Sequence, residues 1–292
     1  MQSFQAILYM KKILLLFLYV VFHSNIYTQE FMTVFPKNIN DVITIDSGTM
    51  RIWYALNAVD IKKSETYDDW QRLEIGTNFS KYYSYFVFAN DSLCTDWGKK
   101  HPKSQYAMNK LGTAGKKNGW NENSYSEYFK DFSKNILTVY LRMPHSAIKD
   151  CQYTENIPLQ NWKISNDTLT VAGYLCQKAT CTLRGRNYTA WFTMDIPIPN
   201  GPWKFGGLPG LILKVYDDDR LYVFECTQIE KFKKIYPITM YDSKNYIKTD
   251  RIKLNDLIKK MYDNFYAVSG WISMDGTPLH WKKIPYYPLE LE

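Results

Sequence analysis

The chain has 292 residues, of which 46% are hydrophobic and 22% are charged, and its formal net charge is +7. This share of apolar side chains is ordinary for a folded globular protein and excludes a disordered chain, which has too few groups to bury. Only one apolar run is long enough to be considered for a bilayer, so a protein with several membrane spans is also excluded.

The N-terminus has the pattern of a secretory signal peptide. Two lysines precede an unbroken apolar run at residues 13–22, which is shorter than the roughly 20 residues that a membrane span needs. We predict cleavage after Thr28, with residues 1–28 as the signal peptide and residues 29–292 as one domain without a transmembrane span. The alternative is a buried N-terminal strand or helix. Export makes a nucleic-acid partner unexpected.

Cysteine and histidine usage gives no support for a cofactor. Export favours disulfides, but an odd number of cysteines leaves at least one without an intramolecular partner, and the pairing is not assigned. The five are Cys94, Cys151, Cys176, Cys181 and Cys226. No CxxC pair is present and the histidines lack metal-ligand spacing, so we predict neither a metal nor a cofactor.

Period-two alternation of side chains predicts strands in the first half of the chain. Residues 47–59 alternate in this way, which is typical of a half-buried strand. Further strands are predicted at residues 67–75, 81–89, 136–142 and 149–157. Residues 124–132 are predicted as a short helix. The lysine-rich residues 97–121 are predicted as a loop, either simply solvated or binding an anionic surface.

The densest pattern lies between residues 162 and 232. The predicted elements are a strand at 162–164, a turn at 166–167, a long strand at 169–182, a hairpin tip at 184–187, a returning strand at 188–196 and a second hairpin with strands at 211–216 and 221–229. Residues 254–268 have helical periodicity and predict an amphipathic helix. The fold class is therefore mainly β: an antiparallel meander sheet, as a half-barrel or open sandwich, with one or two short helices, including one near the C-terminus.

A glycine- and proline-containing motif stands in this region. It consists of Gly207, Leu208, Pro209, Gly210, Leu211 and Ile212. Two further motifs, at residues 173–180 and 185–193, precede it, and the chain ends on a Tyr-Pro-Leu-Glu-Leu sequence at 287–291. In these residues the chain resembles the GLPGLI family of exported proteins from Bacteroidetes-type bacteria, most closely over residues 160–232.

The resemblance implies a location and a fold rather than an activity, because the family has no established biochemical function. It implies export to the periplasm or cell surface of a Gram-negative bacterium and a β-rich fold. It also implies frequent association with outer-membrane transport loci, which makes an outer-membrane transport protein a candidate partner.

The motif also has a purely structural interpretation. Pro209 presets the backbone for the first central position of a type II turn, and Gly210 would supply the positive φ at the second. Gly206 and Gly207 would allow a close approach to a neighbouring strand. We therefore expect a chain reversal packed on the sheet, and the alternative is a loop that lines the mouth of a ligand site.

Two groups of residues are candidates for chemistry or binding. Cys176 shares a strand face with Lys178, which would lower the thiol pKa, so it is a candidate nucleophile; the alternatives are a disulfide half-cystine or a small buried hydrophobe. Arg186 would form an anion site beside aromatic side chains, or else a cross-strand pair. The candidate binding residues are Arg186, Trp191, Trp203 and Phe205, with the three aromatic residues rimming a groove.

Three functions are compatible with these observations. The first is an exported, non-enzymatic binding or docking module for a hydrophobic small molecule or an outer-membrane partner. The second is a thiol enzyme that uses Cys176. The third is a structural or assembly factor for an outer-membrane transporter, which would dock through an exposed strand edge.

Overall fold

The structure is a computed structural model that describes residues 34–103, 120–144 and 148–292. The predicted signal peptide lies outside these ranges, as do residues 104–119 of the predicted lysine-rich loop. Among the described residues, no helix is both long and apolar enough to cross a bilayer.

Twelve strands form one sheet in the described part of the chain. They are β1 (Val42–Leu56), β2 (Asp69–Gly76), β3 (Phe79–Ser84), β4 (Ser126–Asp131), β5 (Ile136–Leu141), β6 (Cys151–Asn156), β7 (Lys163–Val171), β8 (Tyr174–Leu183), β9 (Arg186–Thr193), β10 (Leu211–Asp217), β11 (Val223–Tyr241) and β12 (Ile247–Lys248). The order across the sheet is β12-β6-β5-β4-β3-β2-β1-β11-β10-β9-β8-β7. All neighbours pair antiparallel except β12 and β6.

Within the described ranges, four α-helices accompany the sheet. They are α1 (Tyr85–Lys100), α2 (Glu122–Tyr125), α3 (Arg251–Asp263) and α4 (Phe265–Ser269), and Ser64–Thr66 form one 3-10 turn. The predicted mainly β class, the antiparallel meander and the helix near the C-terminus are confirmed. The sheet stays open, because its outer strands β7 and β12 do not pair with each other.

The predicted strand at residues 81–89 is half wrong. Pairing of β3 with β2 stops at Ser84, whose side chain accepts a hydrogen bond from the backbone N–H of Val87 and caps α1. The Tyr- and Phe-rich sequence favours a strand by propensity alone, but propensity in strands depends strongly on context. The cap decides the matter, because a serine hydroxyl satisfies an N–H that a helix start otherwise leaves unpaired.

The predicted helix at residues 124–132 is wrong. After the single turn of α2 the chain enters β4, which pairs with β3 on one side and β5 on the other. Neighbouring residues of β4, such as Tyr128 and Phe129, are both buried. A strand covered on both faces shows no alternation of polar and apolar side chains, so its period is invisible in the sequence.

The turns of the β7–β8–β9 meander are partly as predicted. Of the tip predicted at residues 184–187, Arg184 and Gly185 form the turn, with φ of +49° and +78°, and β9 already begins at Arg186. The predicted turn at 166–167 is instead a bulge within β7, and the chain reverses at Ala172-Gly173, with φ of +49° and +84°. Two successive positive φ angles are the signature of the tight turns that join twisted antiparallel strands.

The sheet bends back on itself. Glu155 lies on β6, and Arg184 lies in the turn that joins β8 to β9. The two form an ion pair, with Nη2 of Arg184 2.9 Å from Oε2 of Glu155, although β6 and β9 are eight places apart in the strand order. In a flat sheet eight strand spacings would separate them by about 38 Å. The two ends of the strand order must therefore curve toward each other, and a seam bridged by side chains joins them.

The concave, apolar face of this sheet is filled by the chain itself. The loop at residues 194–210, helices α3 and α4, and the C-terminal tail all contribute to one buried cluster with the strands. Phe205 and Met261, for example, are fully buried against it. The sheet is thus a scaffold with a packed interior on this face.

Candidate functional site

A cavity of about 590 Å³ lies where the segment before β1 meets the C-terminal ends of β5 and β11 and the N-terminal end of β6. Its wall is drawn from residues 34–41, 142–143, 148–150 and 241–246. This is within the size range of small-molecule sites in proteins.

Lys37 stands at the centre of the cavity wall. Its ammonium pairs with Asp150 at 3.2 Å, donates a hydrogen bond to the hydroxyl of Tyr246, and lies 4.2 Å from the centroid of that ring. A second ring, that of Tyr241, is 5.4 Å away. Burial lowers the pKa of Lys37, and the nearby carboxylate of Asp150 offsets only part of that effect.

Arg142 holds the floor of the cavity together. Its guanidinium makes a bidentate pair with Asp91 of α1, at 2.6 Å and 3.2 Å, and also donates to the carbonyl of Phe35 at 2.8 Å. Asp91 in addition accepts from the backbone N–H of Lys37 and from the hydroxyl of Tyr241. One buried carboxylate therefore ties α1, the N-terminal segment and β11 into a single rigid wall.

The chemistry of this wall suits a polar, uncharged ligand with some apolar surface. The lining contains three cationic side chains and three carboxylates, so its formal charges balance. Phe35, Tyr241 and Tyr246 add aromatic surface, and Phe35 is 64% exposed at the rim. A charged ligand would lose its hydration without meeting a net opposite charge.

Sequence reasoning did not find this site. Its residues come from four separate segments, and none of them has a catalytic or ligand-binding spacing. The one available signal is compositional: tyrosines at the end of a strand beside isolated charges, which is too common to be specific.

Cys176 does not have the environment of a nucleophile. It is 1% exposed, and burial raises the pKa of its thiol to about 11. Lys178, expected to lower that pKa, pairs instead with Asp167 at 3.1 Å. The alternative of a small buried hydrophobe describes this side chain, because none of the five cysteines, all within the described ranges, is joined in a disulfide.

Arg186 is committed to internal partners. Its Nη1 lies 3.1 Å from Oδ2 of Asp217, and its Nε and Nη2 donate to the carbonyl of Pro288 at 2.9 and 2.7 Å. The aromatic ring it approaches is that of Tyr222. Arg186 therefore binds the C-terminal tail and does not form the expected anion site.

The expected groove of three aromatic residues is not present. Trp203 and Phe205 are buried in the core, where the Phe205 ring is 4.8 Å from that of Tyr188. Strand alternation places Tyr188 and Trp191 of β9 on opposite faces of the sheet. Trp191 is half-buried between Lys178 and Lys214 on neighbouring strands. A shared rim is therefore geometrically excluded.

The motif at residues 207–212 packs on the sheet, as its structural interpretation predicts, but two of its glycines exchange roles. Gly207, and not Gly210, has the positive φ, of +79°. Gly210 is where space is lacking, since a Cβ there would lie 2.0 Å from the carbonyl oxygen of Thr193. Leu208 and Leu211 are buried, so the motif lines no ligand mouth on that side.

Lys130 forms hydrogen bonds to the loop that precedes this motif. It is buried, and its ammonium donates to Oδ1 of Asn200 at 2.9 Å and to the carbonyl of Phe205. Burial lowers its pKa to about 7. At the neighbouring Gly206 a Cβ would lie 2.9 Å from the carbonyl oxygen of Pro199, so a side chain does not fit there.

The geometry so far defines an open, bent β-sheet with a ligand-sized polar cavity at one end. Comparison with known families adds one match: residues 129–256 fit the model described as N-glycanase peptide, N-terminal domain. The matched segment covers less than half of the chain and contains Arg142, Asp150, Tyr241 and Tyr246 of the cavity. No curated protein matches.

Solved structures offer a distant likeness. Two crystal forms of PNGF-II, in space groups P21 and C2, are each 15% identical to the chain, with TM-scores of 0.43 and 0.42. The alignments cover 72% of this chain, and 33% and 32% of those chains, so this chain spans about a third of their length.

Proposed function

We propose that this protein is an exported, non-enzymatic binding module that takes a carbohydrate of the N-linked glycan type in the Lys37 cavity. The observation that carries the proposal is the cavity itself, which combines aromatic surface with polar groups whose charges cancel. Sugars present hydroxyls and amides together with apolar C–H faces, and such a wall can satisfy both.

The family match supports the choice of ligand class. Its description refers to an N-glycanase, and the matched segment supplies Arg142 and Tyr241, which build the floor and wall of the cavity. Of the lining carboxylates, Asp150 pairs with Lys37 and Asp242 with Lys244, and the buried Asp91 behind the wall holds Arg142. This arrangement favours binding over acid–base chemistry.

The other functions have less support. A hydrophobic ligand would need an open apolar face, and that face is filled by the chain's own loop and tail. A thiol enzyme would need an accessible Cys176 with a lowered pKa. The proposal also includes membership of the GLPGLI family, which the motif sequences support. It includes a periplasmic or surface location, which the N-terminal sequence supports, and docking to an outer-membrane transport partner.

The test is a direct binding measurement. Isothermal titration with a free biantennary N-glycan should show binding by the wild-type chain, and Phe35→Ala should weaken it about tenfold, equivalent to ~1.4 kcal/mol. Phe35 lies exposed at the rim, so its loss should not unfold the protein. Phe132→Ala, an exposed phenylalanine outside the cavity wall, is the matched control and should bind like the wild type.

Two results would contradict this function. One is no binding of the glycan to the wild-type protein. The other is equal loss of affinity in Phe35→Ala and Phe132→Ala, which would place the contact elsewhere.

A further inference from the structure

A patch of half-buried aromatic side chains lies at the start of α1, on the face of the sheet opposite the filled core. We call Trp70, Tyr85 and Phe88 the aromatic patch. The ring centroids of Trp70 and Tyr85 are 5.3 Å apart, and those of Tyr85 and Phe88 are 6.2 Å apart and stacked. Contiguous half-exposed rings of this kind offer flat apolar surface with little loss of conformational entropy on binding.

Two buried hydrogen-bond donors lie in this patch without partners. Arg72 lies 5.0 Å from the Phe88 ring centroid, and Trp53 lies 4.6 Å from that of Trp70. Both residues are buried, and neither Nε of Arg72 nor Nε1 of Trp53 has a hydrogen-bond partner among the described residues. Arg72 also pairs with Glu74, with Nη2 and Oε1 3.3 Å apart, so the rings of the patch lie on a layer of fixed, buried side chains.

A row of alternating cations and rings joins the patch to the Lys37 cavity. The guanidinium of Arg72 is 4.9 Å from the Tyr83 ring, and the ammonium of Lys81 is 4.4 Å from the same ring. Lys81 is also 5.8 Å from the ring of Tyr241, which lines the cavity beside Lys37. The two places are therefore ends of one packed assembly.

Helix α1 runs alongside this assembly. A narrow crevice beside it is lined by Tyr83 and Phe88 at the patch end and by Arg142 and Tyr241 at the cavity end. From Tyr85 of the patch to Asp91, which holds Arg142 of the cavity wall, the helix advances about 9 Å, at 1.5 Å per residue. One stretch of α1 therefore reaches from the patch to the residues behind the cavity.

We infer that the ligand of the Lys37 cavity is an extended oligosaccharide whose outer sugars lie on the aromatic patch. The inference rests on the proposed function and adds the length of the ligand and a second point of contact. The cavity would hold one end of the chain by hydrogen bonds, and the patch would stack against a further sugar. Binding energy should therefore grow with glycan length.

The experiment compares two probes of different length on the wild type and on Trp70→Ala. The probes are N,N′-diacetylchitobiose, which can occupy the cavity alone, and a complete biantennary N-glycan. Trp70→Ala should weaken binding of the long glycan about tenfold and leave the affinity for chitobiose unchanged. Tyr85→Ala serves as a second variant if Trp70→Ala fails to fold. Trp191→Ala, a half-buried tryptophan on the same face of the sheet but four strands away, is the matched control.

The outcomes separate this inference from the proposed function. Equal wild-type affinity for both probes, or equal loss for both probes in Trp70→Ala, overturns the inference and leaves the cavity as a site for a short sugar. A loss of long-glycan affinity in Trp191→Ala as large as in Trp70→Ala also overturns it. Failure of the wild type to bind either probe overturns the proposed function and the inference together.

Discussion

Gly207 and Gly210 show how two identical residues in one motif are required for different reasons. At Gly207 the backbone adopts φ of +79°, which residues with a Cβ rarely adopt, while the space around it is open. At Gly210 the backbone conformation is ordinary but the carbonyl of Thr193 occupies the place of a side chain. The motif is therefore explained by backbone conformation at Gly207 and by packing at Gly210.

A substitution series tests this distinction. Gly210→Ala should lower the free energy of unfolding by about 2 kcal/mol or more, because the added methyl forces the backbone off the sheet. Gly207→Ala should cost about 1 kcal/mol from backbone strain alone. Gly98→Ala is the control, with open space in a helix, and should be neutral or slightly stabilising. Urea denaturation measures all three, and a cost for Gly210→Ala no larger than for Gly98→Ala would contradict the packing argument.

The C-terminal tail is an element without regular secondary structure that nevertheless closes the fold. Its Leu291 N–H donates to the carbonyl of Arg184, and its Leu289 carbonyl accepts from the hydroxyl of Tyr188. Glu290 pairs with Lys204 at 2.7 Å, within a cluster that also contains Glu155. Because Glu155 belongs to β6 and Arg184 follows β8, the tail bridges the seam of the bent sheet.

Removing one charge from this cluster should be severe. Lys204 is 2% exposed, so Glu290→Gln would leave a buried ammonium with one carboxylate fewer, at a cost of about 3 kcal/mol. Asp256→Asn removes an exposed helical pair with Lys260 and should cost less than about 0.5 kcal/mol. The midpoint of urea unfolding measures both. Equal small effects would show that the tail does not hold the seam.

At the scale of the whole molecule, packing around the sheet takes the carboxyl group of Asp69 out of water and shields that of Glu122. Burial raises the pKa of Asp69 to about 7 and that of Glu122 to about 7. Glu122 lies among the hydroxyls of Tyr262 and Tyr286, which offset only part of the burial. In the unfolded chain both carboxyls titrate near their ordinary values of about 4.

These groups predict an unusual pH dependence of stability. Between about pH 5 and pH 7 these two carboxyls bind more protons in the folded than in the unfolded state, so through them the free energy of unfolding should fall as the pH rises. Most proteins gain or hold stability over this range as paired carboxylates ionise. Glu122→Gln should make the curve flatter, and urea unfolding at pH 5, 6 and 7 measures it. A wild-type curve that rises with pH would contradict the prediction.

An element could be predicted where its polar and apolar side chains alternate with a clear period in the sequence. The strands of the β8–β9 hairpin and the helix at Arg251–Asp263 were predictable because their patterns persist over many residues. Strand β4 and helix α1 were not, since β4 is buried on both faces and α1 begins in a sequence with high strand propensity. The candidate site was not predictable, because its residues meet only through the fold.

The amino-acid sequence by itself determined the mainly β class, the hairpins and the C-terminal helix, because alternation, turn chemistry and amphipathicity are local. The tertiary structure alone decided which side chains are accessible. It buried Cys176, Trp203 and Phe205, engaged Arg186 with the tail, and brought Lys37, Arg142 and Tyr246 together around a cavity. The physical reason is that burial and ion pairing depend on long-range contacts, which a bent sheet creates between residues far apart in the chain.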